Sequence, residues 1–152
     1  MITVKTMNEM RLVFASRSAN EAFARSAVSA FVAQLDPAVD ELADLRTAVS
    51  EAVTNCIVHA YGDDIGDITV QVQLFENGRV MVKVRDRGCG IPDVKKAMEP
   101  LYTTGGEDRS GLGFSVMESF MDTMKVRSAV GKGTTVTMEK YIRVRRRRDD
   151  VL

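Results

Sequence analysis

Residues 50–59 read SEAVTNCIVH and place Glu51, Asn55 and His59 four residues apart. In an α-helix that spacing makes a polar line, with successive members one turn apart and about 40° round from each other. Beside the line, Leu42, Leu45, Val49, Ala52, Val53 and Cys56 fall within about 100° of arc, which predicts a helix with this stripe on a core and the polar line on its flank.

Upstream, SANE at 18–21 has the form of a capping box, with Ser18 starting a helix and Glu21 reaching back from the third helical position. Phe23, Ala27, Ala30, Phe31 and Leu35 follow helical spacing until Asp36-Pro37 stops the run, and the other face offers Glu21, Arg25 and Ser29. Downstream the period changes to two. Ile68, Val70, Val72 and Leu74 alternate, Asn77-Gly78 follows, and Val80, Val82 and Val84 alternate again, which predicts a hairpin. A glycine-rich stretch runs from Asp86 to Ile91, a helical patch covers 94–98, and a polar connection covers 100–110. Leu112, Val116, Met117, Phe120 and Met121 restore helical spacing; Met124–Val126 opens a strand, and GKG at 131–133 turns into another, TTVTMEKYI. This order predicts an α+β fold, a two-layer α/β sandwich with helices on one face of a mixed, mainly antiparallel sheet. It is expected to form a single domain over 1–152, with 143–152 a charged, disordered tail.

Composition narrows the function classes. The 152 residues, 45% of them apolar, suffice for one ordinary core. With 21 basic and 21 acidic residues, the chain lacks the net positive field of a dedicated nucleic-acid binder, so no direct nucleic-acid role is expected. No apolar run approaches the roughly 20 residues of a membrane span, and the first 30 residues carry no leader pattern, which predicts a soluble cytoplasmic protein without a membrane role. Cys56 and Cys89 are too few for a disulfide framework and have no CxxC spacing. Cys56 and His59 make a CxxH pair, but Cys56 lies on the core stripe and His59 on the flank, so they do not aim at one ion.

Three motifs carry chemistry, and each has a plainer reading when it stands alone. EAVTN sets a carboxylate and a carboxamide one turn apart, where both could address one ligand, although a lone ExxxN is common. DRGCG puts Asp86 at a strand end before Gly88 and Gly90, an arrangement that also suits a simple tight turn. RSGLGF puts Gly111 and Gly113 at a helix start, where unpaired amides favour an anion. Their order is the informative part: helix, hairpin, DxGxG, long loop, GxG with helix, and a terminal strand opening on Gly133-Thr134.

That set resembles the Bergerat ATP-binding fold shared by gyrase, Hsp90, histidine kinases and MutL, over nearly the whole chain. More narrowly, MNEMRLVFASRSANEAFAR, AFVAQLDPAVDELADLRTAVSEAVTN and PLYTTGGEDRSGLGF are similar to the anti-sigma factor serine kinases of spore-forming bacteria. A histidine kinase carries a phospho-acceptor histidine on an upstream helical hairpin; here only 50 residues precede Glu51, and the one histidine, His59, lies inside the motif.

The resemblance implies ATP or ADP as ligand, with Asn55 as the protein ligand of Mg²⁺ and Glu51 as the base that orients or deprotonates a serine hydroxyl. It implies that Asp86 accepts a hydrogen bond from the adenine amino group, that Gly88 and Gly90 leave room for the base, and that the Thr134 hydroxyl supports the purine. Gly111, Leu112 and Gly113 would give amides to the phosphates, Arg109 would meet the γ-phosphate or a partner, and Thr104 belongs to a lid over 100–110. This lid has Thr-Thr-Gly-Gly where relatives often have Lys-Pro after the threonines, which puts a lysine contact there in doubt. The implied partners are the RNA-polymerase sigma factor F, contacted through Glu21, Arg25 and Arg109, and an anti-anti-sigma factor phosphorylated on serine. A homodimer through the sheet near the N-terminal strand is also implied. Two alternatives stay open: a non-catalytic ATP-gated module that only sequesters the sigma factor, and an anti-sigma kinase of the general stress response.

Overall fold

The computed structural model describes residues 3–99 and 113–143. Alternating apolar residues, Ile68, Val70, Val72 and Leu74 and then Val80, Val82 and Val84, build the middle of the sheet. Strands β1 (Thr6–Ala15), β2 (Asp67–Phe75), β3 (Arg79–Asp86), β4 (Thr123–Ala129) and β5 (Gly133–Tyr141) lie in the order β1-β2-β3-β5-β4. All four neighbouring pairs are antiparallel, so the sheet is not mixed among the described residues. The β2–β3 hairpin turns through Glu76 and Asn77, and Gly78, at φ +88°, closes the turn by donating its N–H to Phe75 O at 3.0 Å.

Helices α1 (Ala19–Val32), α2 (Val39–Asn55) and α4 (Gly113–Phe120) cover one face of the sheet, and α3 (Val94–Ala97) is a single turn capped by Asp93, which accepts from Lys96 N at 3.1 Å. The core stripe of α2 is Leu45, Ala48, Val49, Ala52 and Val53, extended by Cys56. A fully buried Val or Leu contributes about 1.5–3 kcal/mol by area transfer, so three of them fix the rotation of α2 and with it the direction of Glu51 and Asn55.

In α1 the buried residues are Ala24, Val28 and Val32, one position on from the expected stripe. Phe23 is 53% exposed and rests edge-to-face on Phe14 at 6.4 Å between ring centroids. Ser18 does not cap: its backbone is already helical (φ −56°, ψ −33°) and its side chain makes no capping bond, while Glu21 pairs with Arg25 at 3.5 Å. Asn20 ties this end down instead, donating from Nδ2 to Ala15 O at 2.9 Å. The helix run ends as expected before Pro37, through a 3₁₀ turn (Ala33–Leu35) and Asp36 at φ +51°. Among the described residues no helix is long and apolar enough to cross a membrane.

The start of α2 is held by a buried carboxylate. Glu41 Oε1 accepts from Ala38 N at 2.9 Å, the reciprocal half of a capping box, since alanine offers no acceptor of its own. Glu41 Oε2 accepts from Arg143 N at 2.9 Å, 102 residues away, and so joins the helix to the end of the last strand. Burial raises the Glu41 pKa, but these two amide bonds and the Arg143 charge outweigh it and leave the carboxyl below its ordinary 4.5. Because the unfolded chain takes up the proton first, this stabilisation is complete above about pH 4.5 and disappears as the pH falls through the lower folded value. Removing both acceptors in Glu41→Ala leaves two amides unpaired and is expected to cost about 2–4 kcal/mol, read as a lower urea midpoint whose gap from wild type narrows under acid.

Candidate functional site

Two clusters meet at one end of the helix layer. The first lies between α2 and α4. Glu51 and Asn55 leave α2 one turn apart, and both reach the first residue of α4: a Cβ built on Gly113 would lie 3.1 Å from Asn55 Oδ1 and 3.3 Å from Glu51 Oε2. A carboxylate, a carboxamide oxygen and the amide-rich start of a helix therefore face one small volume. Helix-start amides attract an anion, and Glu51 would repel the same anion. A hard cation between them resolves the conflict, and Mg²⁺, which takes oxygen ligands and keeps several waters, fits this donor set. Among the described residues no three His, Cys, Asp or Glu gather as a complete metal cage, so such an ion would be shared with a phosphate ligand.

The second cluster lies where β3 ends. Asp86 is 5% exposed, and its Oδ1 accepts from Gly88 N at 2.9 Å and from Thr134 N at 3.1 Å. One carboxylate oxygen thus shapes the glycine turn and clamps β5 against β3. Burial, together with the Asp86 charge and a hydrogen bond to it, pushes the Cys56 thiol well above its usual range, so Cys56 is a neutral core thiol next to Asn55.

Gly88 and Gly90 serve close backbone contacts: a Cβ at Gly88 would lie 2.3 Å from Ala60 O, and one at Gly90 2.2 Å from Ala129 O. Thr134 Oγ1 is 2.7 Å from Ser128 Oγ, which also accepts from Ile91 N at 2.7 Å. Ser128 was not singled out by sequence; no local pattern marks a serine that bridges two loops from a neighbouring strand.

At Gly133 the backbone has φ +107° and a Cβ would lie 2.2 Å from Asp86 O. Gly133→Ala is expected to cost at least about 3 kcal/mol, from strain and overpacking together, and to weaken any ligand held at Asp86; urea unfolding and ligand titration read the two effects.

The polar line of α2 stops at Asn55. Cys56–Tyr61 form a π-helical turn, so His59 does not continue the 100° rotation. The cause is tertiary: Cys89 N donates to Ala60 O at 3.0 Å and Cys89 Sγ to His59 O at 3.3 Å, so carbonyls of this turn are engaged by the glycine loop. π-turns inside helices gather at functional sites. His59 instead lines a cleft of about 450 Å³ with Arg87, Gly88 and Cys89.

The structure thus brings Glu51, Asn55 and Gly113 together, and Asp86, Gly88 and Thr134 together, with Cys56 in contact with Asp86. Glu21 and Arg25 sit on α1, half-buried and ion-paired to each other. Thr104, Arg109, Gly111 and Leu112, with the rest of the expected lid, lie outside the described residues.

Residues 14–140 match the histidine kinase-like ATPase domain family. The anti-sigma F factor of Caldanaerobacter subterraneus subsp. tengcongensis is 56% identical over 136 residues, 89% of this chain and 94% of that protein. The anti-sigma F factor of Geobacillus kaustophilus is 54% identical over 136 residues, 89% of this chain and 93% of that protein. Among solved structures, the RsbU and RsbW domains of a Mycobacterium tuberculosis protein share the fold over 90% of this chain and 33% of theirs, with a TM-score of 0.66 at 21% identity.

Proposed function

The chain belongs to the histidine kinase-like ATPase domain family and, within it, to the anti-sigma F factors, and on that footing we propose that it is an ATP-dependent protein serine/threonine kinase and sigma-factor antagonist. In its ATP form it sequesters sigma factor F. It phosphorylates a serine of the anti-anti-sigma factor and changes partner as the nucleotide changes. The observation that carries the reading is the convergence of Glu51 and Asn55 on the first residue of α4.

In this scheme Asn55 and the phosphates hold Mg²⁺, which neutralises phosphate charge when bound. Gly113 N–H, with those of Gly111 and Leu112, would donate to phosphate oxygens, and Thr104 and Arg109 would be further contacts of the nucleotide. Glu51 takes the proton from the serine Oγ as that oxygen attacks the γ-phosphorus; the bond from γ-phosphorus to the bridging oxygen breaks, and ADP leaves. Asp86, fixed by its two amide donors, accepts from the adenine amino group, and Thr134, held by Ser128, supports the purine beside Gly88 and Gly90. Glu21 and Arg25 meet the sigma factor, joined by Arg109. Strand β1, an edge of the sheet with Met7 and Val13 exposed, is the dimer contact.

The test is a transfer assay with γ-labelled ATP, Mg²⁺ and purified anti-anti-sigma protein, followed by phosphoamino-acid analysis. Label on the partner's serine is expected. ATP binding and sigma capture with label on no protein would overturn the kinase and leave a nucleotide-gated sequestering module.

A further inference from the structure

The helices occupy one face of the sheet, and the strand register arranges the side chains of the other face in rows. One row crosses β3, β5 and β4 as Lys83, Thr137 and Lys125; the adjacent row crosses them as Arg85, Thr135 and Arg127. Each row is a cation, a threonine and a cation. On β2 and β1 the same rows continue with Gln71 and Arg11, and with uncharged Thr69 and Val13, so two full rows contain five cations and no carboxylate.

Arg85, Lys125 and Arg127 are exposed and Lys83 half-buried, and none of the four forms an ion pair with a carboxylate among the described residues. The next row of the same face, Glu9, Gln73, Met81, Glu139 and Thr123, does carry carboxylates, and Glu139 there pairs with Arg79; the other ion pairs are on Glu21, Asp40, Glu41 and Asp44. With zero formal net charge, these two rows are a local concentration of cations rather than part of an overall excess.

We propose that the open face of β3, β5 and β4, through Lys83, Arg85, Lys125 and Arg127, is a docking surface for an acidic protein segment in extended conformation. Cations two residues apart on a strand stand about 6.8 Å apart, and those two strands apart about 9.6 Å. The first spacing equals that of alternate side chains on an extended acidic segment. Thr135 and Thr137 place a hydroxyl donor between the cations of each row.

A single-stranded nucleic acid would want aromatic side chains on which to stack its bases, and neither row has one. A second copy packed face to face across a two-fold axis would set these cations against each other. Because α2 and the Asp86 cluster lie on the opposite side of the sheet, this surface stays accessible with nucleotide bound.

The probe is a fluorescent peptide of alternating glutamate and threonine, titrated by anisotropy into the full chain at low and moderate salt. Binding that weakens with salt is expected, and a paired Lys125→Glu, Arg127→Glu variant is expected to lose at least about tenfold in affinity with ATP affinity and thermal midpoint unchanged. Replacing Arg145 to Arg148 by glutamine is expected to leave a clear difference between this variant and its parent. Four results would overturn the proposal: no peptide binding by the wild type; binding lost with the tail arginines but not with the face variant; oligothymidylate binding more tightly than the peptide and lost in the face variant; or a change of oligomeric state on charge reversal, which would assign the face to contacts between copies.

Discussion

Glu51→Gln is expected to bind ATP within a few-fold of wild type and to transfer its γ-phosphate about 10²–10⁴-fold more slowly, the range by which a positioned base accelerates proton transfer. Glutamine keeps the length and planar end of glutamate, so the packing of this side chain against Gly113, where Glu51 Oε2 comes within 3.3 Å of the Cβ position, changes little. What is lost is the capacity to take a proton. The core stripe behind it, Leu45, Val49 and Val53 at 0% exposure, is untouched, so the thermal midpoint should hold. Single-turnover transfer and nucleotide titration separate the possibilities. A fall in ATP affinity matching the fall in rate would make Glu51 a ligand of the bound cation rather than a base, and transfer within a few-fold of wild type would leave it without a chemical role.

The parts of the fold written in periodicity were legible, and so was the family. The α2 stripe, the β2–β3 hairpin around Asn77 and Gly78, and the places of EAVTN, DRGCG and RSGLGF along the chain all follow from local spacing, and the order of those motifs led to the family that residues 14–140 match. What escaped was set by contacts distant in sequence. The buried edge of α1 is Ala24, Val28 and Val32, side chains that attract less notice than Phe23, which stays 53% exposed. Ser18 has the right neighbours for a cap but a backbone already helical, because the chain enters directly from β1 and Asn20 binds back to Ala15. The π-turn after Asn55 exists because Cys89, more than 30 positions along, engages the carbonyls of His59 and Ala60. Nothing near Glu41 in the chain marks its second oxygen as the acceptor for Arg143 N, 102 residues away. In the site itself, the sequence separates Asp86 and Thr134 by 48 positions, and no local pattern marks the bond from Thr134 N to Asp86 Oδ1 that joins them.

That bond makes Asp86 the position at which a one-atom change should alter ligand choice. Asp86→Asn is expected to lower ATP affinity about 10²-fold or more while leaving the chain folded. Asparagine keeps an oxygen where Gly88 N and Thr134 N donate at 2.9 and 3.1 Å, and orienting that oxygen toward both donors turns the new NH₂ to the position of the second carboxylate oxygen. There it would face the adenine amino group, donor against donor, at a residue only 5% exposed. A hydrogen bond to a charged group is worth about 1.5–3 kcal/mol, and a buried unpaired donor adds to its loss, so a total near 3 kcal/mol corresponds to about 10²-fold. The sign of discrimination should move as well: guanine presents a carbonyl oxygen where adenine has its amino group, so GTP should lose much less than ATP or gain. Calorimetric titration with both nucleotides, beside a urea midpoint, reads all three quantities. Unchanged ATP affinity would remove Asp86 from base recognition and leave it as the clamp between β3 and β5. Equal losses for ATP and GTP with a lowered urea midpoint would mean that the amide turned the other way and broke the clamp.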